Sequence, residues 1–184
     1  MHLRFPMISY ALLRRACVPL LTMVFFMAGA PTVWAQEEAE ARQLPDVKLK
    51  NVSGRTVSLT DYAENGKITI FSFWATWCVP CKKELNNINY VIDDWKAQYD
   101  AELVAISIDN ARNAAKVKPY AAGQNWSFEV LLDTNEQTKR AFNFQTVPYT
   151  VVADRNGRIV YKHSGYVEGD EYELEEKLAE LAGK

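Results

Sequence analysis

The run Ile68-Thr69-Ile70-Phe71-Ser72-Phe73-Trp74 carries no charge and only two small hydroxyls. Entered through Asn65-Gly66, which reads as a turn, such a run is a strand buried on both faces. Trp77-Cys78-Val79-Pro80-Cys81 follows directly, and then Leu85, Ile88, Val91, Ile92 and Trp95 recur at helical spacing, so an amphipathic helix is predicted from Pro80 to Tyr99. Pro80 is tolerated there because the first turn of a helix has no partner for its missing N–H. A second buried run, Leu103-Val104-Ala105-Ile106-Ser107-Ile108, comes next. Strand, helix and strand in that order imply a right-handed parallel crossover and hence an α/β fold.

The strand therefore delivers two cysteines to a helix start. Thiols spaced C-x-x-C on a first helical turn lie close enough to form a disulfide, and the unpaired N–H groups of that turn favour the thiolate of the first. Cys78, placed at an exposed helix end, is the expected attacking sulfur, and Cys81, one turn deeper, the resolving one. Two other readings of the pair are an inert structural disulfide and half of a zinc site. Structural zinc asks for four protein ligands, whereas residues 36–184 offer two cysteines and one histidine, His163. Only Val79 and Pro80 lie between the cysteines, with no cation to hold a thiolate. A reduction potential below roughly −200 mV is therefore expected rather than one near −120 mV.

Residues 1–35 contain Arg4, Arg14 and Arg15 but no acid, and an uncharged stretch from Ala16 to Gln36 passes through Val33-Trp34-Ala35. This reads as a secretory signal peptide with small residues suited to cleavage. An uncleaved anchor is the rival, since about 20 apolar residues span a bilayer, but Pro19, Pro31 and Gly29-Ala30 weaken it. Cleavage would remove three of 21 basic and none of 23 acidic residues, leaving a net charge of −5. No basic stripe remains to suggest nucleic acid. Export would also put the dithiol in a compartment where disulfides persist.

Residues 36–44 read as a flexible polar lead, with a folded domain over 45–184. Residues 46–50 and 55–59 alternate around Ser53-Gly54 as a small hairpin. Residues 111–122 and 134–142 read as helical and Phe128–Leu132 as extended. Tyr149–Ala153 and Arg158–Lys162 flank Asp154-Arg155-Asn156-Gly157 as a second hairpin, and a helix closes the chain from about Asp170 to Ala182. Trp74 is expected to pack in the core and Trp77 to line the site. His163, at a strand end far from the dithiol in sequence, is assigned a surface role.

Phe73-Trp74-Ala75-Thr76-Trp77-Cys78-Val79-Pro80-Cys81-Lys82-Lys83-Glu84, Val147-Pro148 and Asp154-Arg155-Asn156-Gly157-Arg158-Ile159-Val160 together resemble the thioredoxin superfamily. Within it they look like the TlpA/ResA-like branch of exported thiol–disulfide oxidoreductases. The resemblance implies a thioredoxin-like fold: a central mixed sheet with helices on both faces, an N-terminal β-hairpin, and a strand–helix insertion before a cis-proline loop, for which residues 111–133 are long enough. It implies that Pro148 is cis and faces the dithiol, that the backbone at Val147 pairs with extended substrate, and that Trp77, Val79 and Pro80 also border substrate. It also implies that Glu84 tunes the cysteines, against the alternative of a solvated glutamate pairing with Lys82 or Lys83. Many thioredoxins carry a buried aspartate six residues before the first cysteine. Here that position is Ser72, which leaves Glu84, water or substrate to move the proton of Cys81.

The function implied is an extracytoplasmic, periplasmic reductant of protein disulfides that works without a bound cofactor or metal. Its electron donor would be a membrane thiol transporter of the DsbD/CcdA kind, and apocytochrome c with its C-x-x-C cysteines would be among its clients. Two alternatives stand beside it. One is a peroxiredoxin-like thiol peroxidase, for which Thr76 lies two residues before Cys78 rather than the expected three. The other is a non-catalytic binding module or holdase.

Overall fold

The computed structural model describes residues 42–184. The expected signal peptide and its cleavage point, and most of the expected lead, fall outside the described residues. Arg42, Gln43 and Leu44, assigned above to the lead, belong to the fold. The backbone N–H of Ile159 donates to Arg42, that of Leu44 donates to Gly157, Gln43 bridges to Arg158, and Leu44 is buried. A polar sequence masked this, because its anchorage comes from a hairpin more than 100 residues away.

Seven strands form one mixed sheet in the order β2-β1-β5-β4-β3-β6-β7. β1 (Lys48–Asn51) and β2 (Thr56–Ser58) make the expected N-terminal hairpin. Its turn carries Gly54 at φ +88°, a conformation that glycine adopts without a Cβ penalty. A four-residue helix, α1 (Asp61–Glu64), precedes the central strand and has no counterpart in the sequence reading. β3 (Ile68–Trp74) is buried at every position, as its uninterrupted apolar character requires.

β3 runs parallel to β4 (Ala101–Ser107), and α2 (Val79–Tyr99) is the crossover between them. Leu85, Ile88, Ile92 and Trp95 are the buried stripe of α2. After β4 the chain makes a short 3-10 turn, Ala114–Lys116, then α3 (Val117–Gly123), β5 (Glu129–Leu132) and α4 (Gln137–Phe142). The insertion thus differs in detail from the expected one. Residues 111–128 are largely helical and feed β5, and it is β5 followed by α4 that supplies the strand–helix order before the proline loop. β5 pairs parallel with β4 and antiparallel with β1, which ties the N-terminal hairpin to the sheet.

β6 (Tyr149–Ala153) and β7 (Ile159–Ser164) form the second hairpin, antiparallel to each other and, through β6, to β3. Asp154 organises its turn by accepting hydrogen bonds from the backbone N–H groups of Asn156 and Arg158, each at 2.9 Å. Gly157 takes φ +74° there, and a Cβ at this position would run into Ala63 of α1. α5 (Asp170–Ala182) closes the fold against α2.

Alternation along β3 separates the two helical layers. Ser72 and Trp74 meet groups on α2 and α3, whereas Phe71 and Phe73 pack on Tyr62 of α1 and Phe142 of α4. The core therefore lies on both sides of β3, with α2, α3 and α5 on one face and α1 and α4 on the other.

Candidate active site

β3 ends at Trp74 and α2 begins at Val79, so the four residues between them must turn the chain at the edge of the core. Asp109, just past β4, holds that turn. Its buried carboxylate accepts from the backbone N–H of Thr76 at 2.8 Å, from the Thr76 hydroxyl at 2.7 Å and from the Ser107 hydroxyl at 2.9 Å. Asp109→Ala is expected to strand the buried Ser107 hydroxyl and the half-buried Thr76 donors and to cost about 2 kcal/mol of stability. Urea unfolding measures the loss, and Asp109→Asn, which keeps an acceptor, is expected to recover part of it.

Cys78 is the N-cap of α2, with extended backbone (φ −85°, ψ 103°), and its Sγ accepts the N–H of Cys81 at 3.3 Å. This is one of the otherwise orphaned donors of the first turn, aimed at sulfur. The two cysteines are joined as a disulfide with a Cα–Cα separation of 5.4 Å, within the ordinary range for such a bridge. The expectation that Cys78 is exposed is corrected: in the disulfide form it is 4% exposed and Cys81 is fully buried. The exposure belongs to its neighbours instead, Trp77 at 63% and Val79 at 70%. Pro80 is exposed as well, at the second helical position.

Val147-Pro148 is a cis peptide, as the resemblance implied. The register that pairs Phe73 with Tyr149 places Pro148 at the level of Trp74, beside the strand end from which the cysteine turn departs. Pro148 is buried and Val147 half-buried. Two open grooves meet at Trp77. One, of about 330 Å³, runs past Thr146 and Val147, and the other, of about 400 Å³, past Thr76, Lys116 and Tyr120. Trp77 and Val147 thus share a groove, whereas Trp74 packs in the interior against Tyr120 and Trp126.

Glu84 is not a solvated glutamate. It is 4% exposed, and its carboxylate accepts from the Thr150 hydroxyl at 2.7 Å and the Ser72 hydroxyl at 3.3 Å. The lysines proposed as its partners are engaged elsewhere, Lys83 with Glu168 at 2.5 Å and Lys82 over the ring of Tyr120. Burial pushes the Glu84 carboxyl from its usual 4.5 up to about 7, despite the two hydroxyl hydrogen bonds that pull the other way. The charges of Asp170 and Glu171 add to the rise. Glu84 lies one helical turn beyond Cys81 on nearly the same face. Ser72, which stands where many thioredoxins carry an aspartate, therefore donates its hydroxyl to the buried carboxyl of Glu84.

Three neighbours of the site are not identified by the sequence reading. Asp109 and Thr150 look like ordinary strand-end and strand residues there, although Thr150 lies two residues past Pro148 and so on the same sheet face. His163 is assigned to the surface but directly opposes Thr150 on β7. Among the described residues no group of three or more His, Cys, Asp or Glu side chains is arranged to hold a metal ion.

Comparison with known proteins agrees with this geometry. The model of the AhpC/TSA family matches residues 41–162. The thioredoxin-like protein YneN of Bacillus subtilis is 32% identical over 142 residues, covering 76% of this chain and 78% of YneN. The thiol-disulfide oxidoreductase ResA of Geobacillus thermodenitrificans is 30% identical over 115 residues, 62% of this chain, and the chain spans 63% of the length of that ResA. Among solved structures, an uncharacterized thioredoxin-like protein from Porphyromonas gingivalis is 48% identical with a TM-score of 0.69, covering 76% of this chain and 92% of that one. A buried cysteine pair at the start of α2, a cis-proline beside it and these relatives lead to one assignment: the chain belongs to the AhpC/TSA family of thioredoxin-like proteins, alongside the ResA and YneN proteins.

Proposed function

We propose that this protein is an extracytoplasmic thiol–disulfide oxidoreductase that reduces disulfides of envelope proteins. The observation that carries the reading is the redox-capable pair Cys78–Cys81 at the start of α2, one helical turn from a buried carboxyl whose pKa is near neutrality. In the reduced protein the Cys78 thiolate attacks a substrate disulfide, forming a mixed disulfide and releasing one substrate thiolate. Cys81 gives its proton to Glu84, and its sulfur attacks Sγ of Cys78. The Cys78–Cys81 disulfide forms and the second substrate thiolate leaves, so two electrons pass from the dithiol to the substrate.

Substrate chain would lie extended along Val147 and Pro148, with Trp77, Val79 and Pro80 forming the exposed rim around the sulfurs. The oxidised protein then needs an external dithiol, for which a membrane thiol transporter of the DsbD/CcdA kind is the candidate. Apocytochrome c, which presents a C-x-x-C pair, is the candidate client. The leader-like residues 1–35 support location outside the cytoplasm, in the periplasm or an equivalent compartment.

The peroxidase alternative requires a threonine hydroxyl turned to the reactive sulfur. The hydroxyl of Thr76 donates to Asp109 at 2.7 Å, which favours the dithiol reading. The holdase alternative leaves unexplained why an acid is buried next to Cys81. Equilibration of residues 36–184 in dithiothreitol or glutathione buffers, read by thiol trapping, is expected to give a potential below roughly −200 mV. A value near −120 mV would instead make the protein a disulfide donor and reverse the proposed electron flow.

A further inference from the structure

His163, far from the dithiol in sequence, returns to Glu84 through the sheet register. Ser72 on β3 pairs with Thr150 on β6, and Thr150 pairs with His163 on β7. Directly opposed residues of antiparallel strands share a face, so these three side chains form one row across the sheet beneath α2 and α5. The Glu84 carboxylate rests on the first two members of the row. Asp170, at the start of α5, sits on the third, with its Oδ2 3.2 Å from His163 Nε2.

Between α5 and the sheet lies a cleft lined by Glu84, Thr150, Tyr161, His163, Tyr166 and Asp170, among others. Glu84 and Thr150 are its buried floor, whereas the side chains of His163 and Asp170 are 31% and 27% exposed and form its mouth. Its volume is about 10 Å³, close to the space one water molecule needs. No residue lining this cleft also lines either groove beside Trp77. A substrate lying along Val147 would cover the dithiol face and leave the cleft open.

We propose that this cleft is the proton exit of the dithiol, with the His163–Asp170 pair at its mouth connecting Glu84 to solvent while substrate occupies the other face. The inference rests on the thiol–disulfide reading of the site. In the resolving step the Cys81 thiol transfers its proton to the Glu84 carboxylate, and the Cys81 thiolate displaces the substrate sulfur from Cys78. The proton then passes from Glu84 through the cleft to solvent. The imidazole can both donate and accept, which suits it to that position. His163 and Asp170 are positioning residues in this scheme, since neither touches the reacting sulfurs.

The titratable groups facing Glu84 across the cleft are Asp170 and Glu171 from α5, His163 and Tyr161 from β7, and Tyr166 from the loop between them. From β3 and β6 the facing groups are the hydroxyls of Ser72 and Thr150. Two substitutions therefore act in opposite senses. Asp170→Asn removes a negative charge and lowers the pH at which Glu84 titrates. His163→Leu takes the imidazole away from Asp170, leaving the Val167 N–H as the donor to its carboxylate, and dries the mouth, which raises it. Each shift is expected to be on the order of half a pH unit.

The test is a carbon-13 NMR titration of the Glu84 carboxyl, in the free protein and in a Cys81→Ser variant carrying a glutathione mixed disulfide on Cys78. Glu84 is expected to titrate reversibly in both states, with the two substitutions moving the midpoint apart. Simple loosening of the fold would hydrate Glu84 and move both midpoints down. Shifts of the same sign, no shift, or loss of reversible titration when Cys78 is covered would overturn the proposal. Failure of Cys78 to form the mixed disulfide would count against the thiol–disulfide reading instead, and the opposed shifts in the free protein would still decide the role of the cleft.

Discussion

Cys81→Ser is expected to turn the protein from a catalyst into a trap, holding about one equivalent of substrate as a mixed disulfide on Cys78. The reason is the division of labour at the first turn of α2. Cys78 is the N-cap, its sulfur accepts the N–H of residue 81, and it is the more accessible of the two, at 4% against 0% exposure. A backbone donor at the positive end of a helix stabilises a thiolate, which supports the proposed role of Cys78 as the attacking sulfur. Cys81 is closed to a large substrate disulfide and can reach only the sulfur of Cys78.

Removing Cys81 leaves the first step intact and deletes the second, so single-turnover adduct formation continues while multiple turnover stops. Cys78→Ser deletes the first step, and no adduct forms. Intact-mass analysis after incubation with a disulfide substrate distinguishes these. An adduct on Cys81 in Cys78→Ser, or sustained turnover by Cys81→Ser, would reverse the assigned order of the sulfurs.

Glu84→Gln is expected to stabilise the fold above neutral pH while slowing the resolving step by about a hundred-fold, the usual scale for loss of a positioned acid–base group. The sign of the stability change follows from the raised pKa. A carboxyl that titrates at about 7 in the fold and at 4.5 when unfolded binds its proton more tightly in the native state. That contribution is fully present below pH 4.5 and is lost as pH rises through 7. Ionised Glu84 thus costs the fold up to about 3 kcal/mol at alkaline pH.

Glutamine carries no charge, accepts from Thr150 through its carbonyl and can donate to the Ser72 oxygen. The variant should therefore match the parent near pH 4 and exceed it above pH 7. Denaturant melts at the two pH values, paired with stopped-flow measurement of mixed-disulfide resolution, test both halves. Equal stability at both pH values would mean that Glu84 is not held in a dry environment. An unchanged resolving rate would remove it from the mechanism.

The second prediction depends on a residue, Glu84, whose importance was readable and whose setting was not. The motif through Glu84 and the absence of an acid at Ser72 pointed to Glu84 as the substitute proton acceptor. Burial and two hydroxyl ligands could not be read, because one of them, Thr150, is 66 residues away. Lys82 and Lys83, adjacent in sequence, looked like natural partners but turn to Tyr120 and Glu168. The same limit hid α1, whose four residues are too few to show a helical period. It also hid the docking of Arg42–Leu44, which consists of backbone bonding to the β6–β7 hairpin.

What the sequence alone determined is what depends on neighbours along the chain. The uninterrupted apolar run of β3, the stripe of α2, the two hairpin turns and the cysteine spacing are all local patterns, and local patterns settle which elements form and where the dithiol sits. Resemblance added the cis-proline at Pro148. Tertiary structure alone decided which side chains meet at Glu84. Strand β3 and the β6–β7 hairpin come from distant parts of the chain, and sheet register brings Ser72, Thr150 and His163 into one row. Register is set by the packing of whole faces, since a slip of one residue would turn each of these side chains to the opposite side of the sheet. The proton environment of the site is therefore a property of the assembled sheet.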